Sequence, residues 1–181
     1  VGVLAGRASL SALASNTAGN YNAAFGPRAL ASNTTGSNQT AFGRSALANS
    51  TAPTLYGPNA AFGAYALYGA TSGLANVAVG MASLGSTTSG SGNVAIGSYA
   101  GVAQTTGSDN IYLANAGVAG ESGQIKIGTV RTHTGATVAG IHNATSTGGI
   151  AVLVNASGVL GTTTSSARFK RDVADMGDAS D

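Results

Sequence analysis

Residues 15–33 read SNTAGNYNAAFGPRALASN, and residues 32–50 read SNTTGSNQTAFGRSALANS. Both contain one unit: a small residue, an apolar residue, Gly, two variable residues, Ala or Ser, and then Leu. The unit returns, with substitutions, in residues 54–70, 71–87 and 88–104. Its successive glycines are 17 residues apart, or 20 where three residues are inserted; they are Gly6, Gly26, Gly43, Gly63, Gly80 and Gly97. A fixed period of this length indicates a repeat architecture.

The apolar positions of the unit predict short strands. Helix is disfavoured because Gly, Asn and Thr are poor helix formers at this density. Gly between two apolar stretches marks a bend, and the polar linkers have turn chemistry. We therefore predict two short strands and two turns per repeat, which form one coil of a parallel β-solenoid (β-roll) with coils stacked about 4.8 Å apart. Two apolar columns are expected, one of Phe25, Phe42, Phe62, Val79 and Ile96 and one of Leu30, Leu47, Leu67 and Leu84.

The composition limits what such coils can bury. Hydrophobic residues make up 43% of the chain, but much of this is Ala, aromatic residues are 6%, and Trp is absent. Burying Ala yields far less than the roughly 1.5 to 3 kcal/mol of a buried Leu, Ile or Phe. With only two large apolar side chains per coil the core is thin, and packing against identical chains completes it most simply. We therefore expect a homo-oligomer.

Several classes of protein are disfavoured by the same composition. A net charge of +2 without a clustered basic face gives no nucleic-acid footprint. The lack of Cys excludes a disulfide scaffold and a thiolate metal site, and no apolar run is long enough to predict a membrane-spanning helix. No cofactor is expected. The chain begins with Val and shows no signal-peptide pattern, so we expect it to be an excerpt of a longer protein.

The units NTTGSNQTAFG and GNVAIG resemble the head repeats of trimeric autotransporter adhesins, which follow the pattern N-x-x-A-hydrophobic-G. The resemblance covers about residues 1–115, although the repeat is longer here than in that family. It implies left-handed parallel β-rolls that pack as a homotrimer. We accordingly assign residues 1–116 to a repeat β-solenoid.

After residue 116 the repeat is lost, but the sequence remains β-rich and punctuated by Gly. Residues 150–161, IAVLVNASGVLG, place two apolar runs around Asn155 to Gly158, which predicts a hairpin. Residues 117–164 are therefore expected to form a short β-rich connecting domain whose strands wrap with those of the partner chains.

Residues 165–180, SSARFKRDVADMGDAS, resemble the start of the intramolecular chaperone domain at the C-terminus of endosialidases, phage tail fibres and bacterial surface fibres. The resemblance implies that Ser165 opens the domain, that Lys170 completes a catalytic dyad, and that the Thr164–Ser165 bond is cut once the trimer has folded. The chemistry is sound, because a Ser hydroxyl needs a base and a buried Lys can act as one. Ser166 remains an alternative nucleophile. A solvated basic linker is the alternative for residues 165–181 as a whole.

Other candidate residues point to no site. His133 and His142 are nine residues apart, which would put them on opposite faces of a continuous strand. Asp109 and Glu121 are the only carboxylates before residue 165, too few to favour a glycosidase pair. An ice-binding row is not expected, because the Thr residues cluster in turns and should lose register at each insertion. The protein is thus not expected to be an enzyme, apart from self-cleavage.

These features together favour a structural protein. We expect an adhesin-like fibre or filament of the bacterial surface, extracellular and homotrimeric, that is trimerised with the aid of a self-cleaving chaperone domain. A host-surface or glycan receptor would be met by variable turn residues such as Arg28, Arg44 and Tyr65. The alternative is a bacteriophage tail fibre or tailspike segment on a virion, with receptor-binding or depolymerase activity elsewhere in the chain.

Overall fold

The computed structural model describes residues 11–51, 57–139, 141 and 147–162. These residues contain nine short strands and no helix. Seven strands form one parallel sheet in sequence order. They are β1 Ala23–Phe25, β2 Thr40–Phe42, β3 Ala60–Phe62, β4 Val77–Val79, β5 Val94–Ile96, β6 Ile111–Leu113 and β7 Ile125–Ile127. The predicted all-β parallel solenoid with coils of about 17 residues is therefore confirmed.

The predicted column before the repeat glycines is also confirmed. Phe25 pairs with Phe42 and Phe42 with Phe62, and the register continues through Val79 and Ile96. Leu113 and Ile127 extend the column to the last strand of the sheet. The third residue of each strand thus pairs with the third residue of the strand in the preceding coil.

The Leu column is confirmed, but the expectation of two strands per coil is wrong. Leu30, Leu47, Leu67 and Leu84 are each 0% exposed. Their φ angles are 50° to 51°, in the left-handed region, and the residue two positions earlier in each coil is left-handed too. These paired left-handed residues bend the chain and turn Leu inward. The strain, about 1–2 kcal/mol per left-handed residue, is offset in part by Leu burial of about 1.5–3 kcal/mol.

The core is even thinner than expected, because the Phe column lies outside it. Phe42 is 42% exposed and Phe62 is 43% exposed. Side chains alternate across a strand, so in a three-residue strand the middle residue points inward and both ends point outward. The middle residue is Ala in the first five strands, and each of these Ala side chains is buried: Ala24, Ala41, Ala61, Ala78 and Ala95.

A column of buried amide side chains completes the interior. One Asn or Gln lies four residues before each repeat glycine from Gly26 to Gly97, and Asn110 lies four residues before Ala114, which replaces the glycine in the next coil; the set is Asn22, Gln39, Asn59, Asn76, Asn93 and Asn110. Asn76 Oδ1 accepts hydrogen bonds from the Asn93 backbone N at 2.9 Å and from Asn93 Nδ2 at 3.1 Å. Asn76 Nδ2 donates to the Gly90 carbonyl at 2.8 Å. This asparagine ladder joins successive coils and satisfies the buried polar groups.

The repeat glycines lie at one of the places where neighbouring coils approach closely. Gly63 has φ +139°, and a Cβ there would lie 2.5 Å from the carbonyl oxygen of Gly80. A side chain is therefore excluded both by the backbone conformation and by the next coil. Gly26, Gly43 and Gly80 have the same environment.

The solenoid changes its packing near its C-terminal end. Gly101 stands where Leu84 stands one coil earlier, and Tyr112 stands where Ala95 does. Tyr112 is fully buried, and a Cβ on Gly101 would lie 2.9 Å from its ring. The aromatic ring thus fills the volume that the absent Leu leaves. The parallel sheet continues past residue 116 to Ile127, and the division of the chain into two compact units falls after His133.

In the second unit the predicted hairpin is confirmed. Strand β8, Val152–Val154, pairs antiparallel with β9, Leu160–Thr162. Asn155 Oδ1 accepts hydrogen bonds from the backbone N of Ser157 and of Val159, at 2.9 and 3.0 Å, and closes the turn. The apolar side chains of the hairpin are exposed, and a two-stranded hairpin alone is marginally stable at best.

Candidate functional site

The first candidate surface is the outer sheet face, formed by the first and third residues of strands β1 to β7. It contains Ala23, Phe25, Thr40, Phe42, Ala60, Phe62, Val77, Val79, Val94, Ile96, Ile111, Leu113, Ile125 and Ile127. Apart from Thr40 all are apolar, and none is fully buried. Exposed contiguous apolar surface of this kind marks an interaction site.

The outer sheet face is ordered as well as apolar. The rings of Phe25 and Phe42 stack with centroids 4.5 Å apart, and those of Phe42 and Phe62 stack at 5.8 Å. Lys126, the one charged residue within strands β1 to β7, is the middle residue of its strand and pairs with Glu121. The face therefore presents no charge that a second apolar surface would have to bury.

The second candidate surface is the arginine–tyrosine corner, which we define as Arg28, Arg44, Tyr65 and Tyr68. Arg44 Cζ lies 5.0 Å from the centre of the Tyr65 ring, within cation–π range. The rings of Tyr65 and Tyr68 meet edge to face, with centroids 5.7 Å apart and planes at 75°. Backbone hydrogen bonding from Tyr65 N to the Arg44 carbonyl, at 2.8 Å, holds the two residues in adjacent coils.

The arginines of this corner have no carboxylate partner among the described residues. The ion pair among the described residues joins Lys126 and Glu121, neither of which belongs to this corner. Residues 11–107 contain Arg28 and Arg44 as their only charged residues, so the corner is positive within an otherwise uncharged stretch.

Tyr68 belongs to the corner but was not singled out from the sequence. Its position is five residues after a repeat glycine, where the other coils have Ala31, Ala48, Gly85 and Val102. A bulky polar aromatic residue at a position that otherwise holds small or aliphatic residues is the signal that could have identified it.

Glu121 forms a small cluster with Tyr112 and Lys126 at the end of the solenoid. Burial acts to raise the pKa of the Glu121 carboxyl, but Lys126, Tyr112 and the Val118 amide together lower it below its usual value. Burial and the Glu121 carboxylate raise the pKa of the Tyr112 hydroxyl. The hydroxyl is close enough to the carboxylate to affect both pKa values, although its geometry is not that of an ordinary hydrogen bond. The cluster thus pairs the charge of Lys126 with that of Glu121 at the end of the solenoid.

Asp109 and His133, the remaining candidates among the described residues, are both exposed. His133 accepts a hydrogen bond at Nδ1 from the Thr129 backbone N at 2.8 Å. Within the described ranges, no group of three or more His, Cys, Asp or Glu side chains could hold a metal ion. The same part of the chain contains no helix long and apolar enough to cross a membrane.

The expectation that the Thr row loses register at an insertion is wrong. Thr51 Oγ1 donates to the Thr71 carbonyl, 20 residues on, and Thr71 Oγ1 donates to the Thr88 carbonyl, 17 residues on, both at 3.2 Å. Asn59 and Asn76 are again paired 17 residues apart. The three extra residues of this coil therefore lie between Thr51 and Asn59, and the Thr side chains on either side keep one line.

The residues that the chaperone resemblance marks for self-cleavage lie outside the described residues. These are Thr164, Ser165, Ser166 and Lys170, and His142 lies outside them too. The two surfaces and the Glu121 cluster are therefore what the described residues offer as candidate sites. Neither a protein-family model, nor a curated protein, nor a solved structure matches the chain.

Proposed function

We propose that the chain is a structural segment of an extracellular, adhesin-like fibre, in which three copies pack through their outer sheet faces. The observation that carries the proposal is the exposed apolar face that runs without interruption along strands β1 to β7. A solenoid with so thin an interior gains stability when this surface is removed from water.

The repeat supports a symmetric assembly with the solenoid axes aligned. Each coil presents the same two outward positions in register. Copies related by rotation about a parallel axis would place equal layers against one another, so that one favourable contact is repeated in every coil. The number of copies, three, rests on the resemblance to trimeric adhesin heads and trimeric fibres.

The outer sheet face limits how strongly this segment can associate by itself. Seven strands at about 4.8 Å span about 29 Å, and the face is only two side chains wide. Such a strip is smaller than the roughly 800 Å² per partner that stable complexes bury. The exposed apolar hairpin of strands β8 and β9 would add buried area in the assembly, and a chaperone domain would bring three chains together during folding. A bacterial filament and a phage tail fibre share these requirements.

The test is the oligomeric state of the chain and of a variant with a charge on the face. We expect a homotrimer by light scattering and native mass spectrometry at high protein concentration, with dissociation on dilution. Phe62→Glu should shift dissociation to at least tenfold higher concentration, because one buried carboxylate per chain would be desolvated without a partner.

Met81→Glu is the matched control. Met81 is 44% exposed, as Phe62 is 43% exposed, but it lies outside the sheet. It should leave the assembly unchanged. A monomer at all concentrations, or equal effects of the two substitutions, would show that the outer sheet face is not the contact.

A further inference from the structure

We propose that the arginine–tyrosine corner binds an acidic polysaccharide through its carboxylate groups. The inference rests on the proposed function in one respect: a surface fibre meets extracellular polysaccharides. It concerns a different surface from the one that joins the copies.

Comparison of the coils with one another shows that the solenoid does not require the residue types found at this corner. The positions that build the solenoid keep their residue type, as the repeat glycines, the inward Ala and the buried Leu do. At the first position after the glycine, Arg44 stands where other coils have Ala64 or Ser98. At the second, Tyr65 stands where another has Ala82. The backbone therefore needs neither Arg nor Tyr at these positions.

Tyr65 contacts both Arg44 and Tyr68 at this corner. Arg44 covers one side of the Tyr65 ring, and Tyr68 stands nearly perpendicular to that ring. Two rings whose planes meet at 75° present two apolar faces nearly perpendicular to each other. The cation–π contact also holds the guanidinium in place, which lowers the entropy that a ligand would have to remove.

The charge of the corner selects for anions. Arg44 is exposed and lacks a carboxylate partner among the described residues. Arg28 lies in the coil before that of Arg44, about 4.8 Å away along the solenoid axis. A guanidinium binds a carboxylate through two parallel hydrogen bonds, so two arginines at this separation fit a chain with repeated carboxylates.

A saccharide fits the corner better than a peptide does. Extended peptides are commonly bound by adding a strand to a free sheet edge. On the side of the solenoid the backbone groups already pair between coils, as Tyr65 N does with the Arg44 carbonyl at 2.8 Å. A ligand held here must be recognised by side chains alone. A uronic acid offers an apolar C–H face to the tyrosine rings and a carboxylate to the arginine.

The test is isothermal titration calorimetry of the full 181-residue chain with a tetrasaccharide of hexuronic acid. Its carboxyl-reduced, neutral counterpart and an aspartate tetrapeptide serve as comparison ligands. We expect binding of the hexuronate, and at least tenfold weaker binding of the other two. Arg44→Ala and Tyr65→Ala should each weaken hexuronate binding at least tenfold.

The variants are chosen so that the fold is kept. Each introduces a residue that another coil already has at the same position, Ala64 for Arg44 and Ala82 for Tyr65. Tyr99→Ala is the matched control, since Tyr99 shares the position and the left-handed backbone of Tyr65, but its backbone N donates to Met81 of the preceding coil instead of to an arginine. It should change the affinity less than twofold.

Three results would overturn the proposal. The first is that the wild-type chain does not bind the hexuronate, and the second is that the neutral sugar or the peptide binds as tightly. The third is that Tyr99→Ala loses as much affinity as Tyr65→Ala. Light scattering on the same samples keeps this test separate from that of the assembly, because a monomer that binds hexuronate contradicts only the trimer.

Discussion

Asn76 Oδ1 accepts a hydrogen bond from the backbone N of Asn93, one coil further along the solenoid, at a distance of 2.9 Å. Both side chains are fully buried, and the same contact joins Asn59 to Asn76 and Asn93 to Asn110. In a solenoid with so few large apolar side chains in its interior, this polar ladder links each coil to the next in a fixed register.

Removing one Asn side chain of the ladder should strongly lower the free energy of unfolding. Asn76→Ala leaves the Asn93 backbone N and the Gly90 carbonyl without their partner in a buried site. Each lost partner costs about 1–3 kcal/mol, so we expect the free energy of unfolding in urea to fall by about 2–5 kcal/mol. Asn20→Ala, at an exposed position, should change it by less than about 0.5 kcal/mol. Equal effects would show that the ladder does not hold the coils together.

Alanine at a repeat glycine should be more destabilising than alanine at a glycine with open space. Gly63→Ala meets the Gly80 carbonyl and a φ of +139°, so we expect a loss above about 3 kcal/mol. Gly123 has φ +66° and no atom within 4 Å of an added Cβ. Gly123→Ala should therefore show the backbone strain alone, about 1 kcal/mol. If both variants unfold at the same urea concentration, the close contact with the next coil is not the reason why residue 63 must be Gly.

The Glu121 cluster should make the solenoid end sensitive to acid. Because the folded-state pKa of Glu121 is lowered, its carboxylate stabilises the fold above the ordinary value of 4.5, and this contribution is lost as the pH falls through the lowered pKa. We expect the free energy of unfolding of wild type, measured in urea, to exceed that of Glu121→Gln by up to about 1 kcal/mol at pH 7, and this difference to disappear as the pH falls through the lowered pKa. Lys126→Gln should reduce the pH dependence. A constant difference between wild type and Glu121→Gln would contradict the assignment.

Self-cleavage remains a prediction from the resemblance of residues 165–181. In a chain that carries a complete domain of that kind, we expect mass spectrometry to find a new C-terminus at Thr164. Ser165→Ala and Lys170→Ala should abolish the cut, whereas Ser166→Ala should keep it. The cut requires that the domain lower the pKa of the Lys170 ammonium, because a Lys at the reference value of about 10.4 is a poor base. An uncut complete chain leaves residues 165–181 as a linker.

Much of the fold could be predicted from the spacing of a few residues. The glycine period gave the coil length, and the constant offsets of Phe and Leu from Gly gave the two columns. The turn residues Asn155 and Gly158 gave the hairpin. Of the candidate site residues, Arg28, Arg44 and Tyr65 were identified as variable turn residues, but their contacts with one another and with Tyr68 were not.

The sequence alone determined the period and the membership of the Phe and Leu columns, because these depend only on counting along the chain, whereas the structure showed that the Thr row keeps its register across an insertion. The tertiary structure alone decided which column faces inward. A three-residue strand such as AAF, residues 23–25, could turn either face inward. Only closure of a 17-residue coil shows that the interior contains Ala24 and Leu30 but not Phe25. The ladder from Asn76 to Asn93 and the Thr51–Thr71 contact likewise join residues 17 and 20 apart. Such contacts exist only once the coils have stacked.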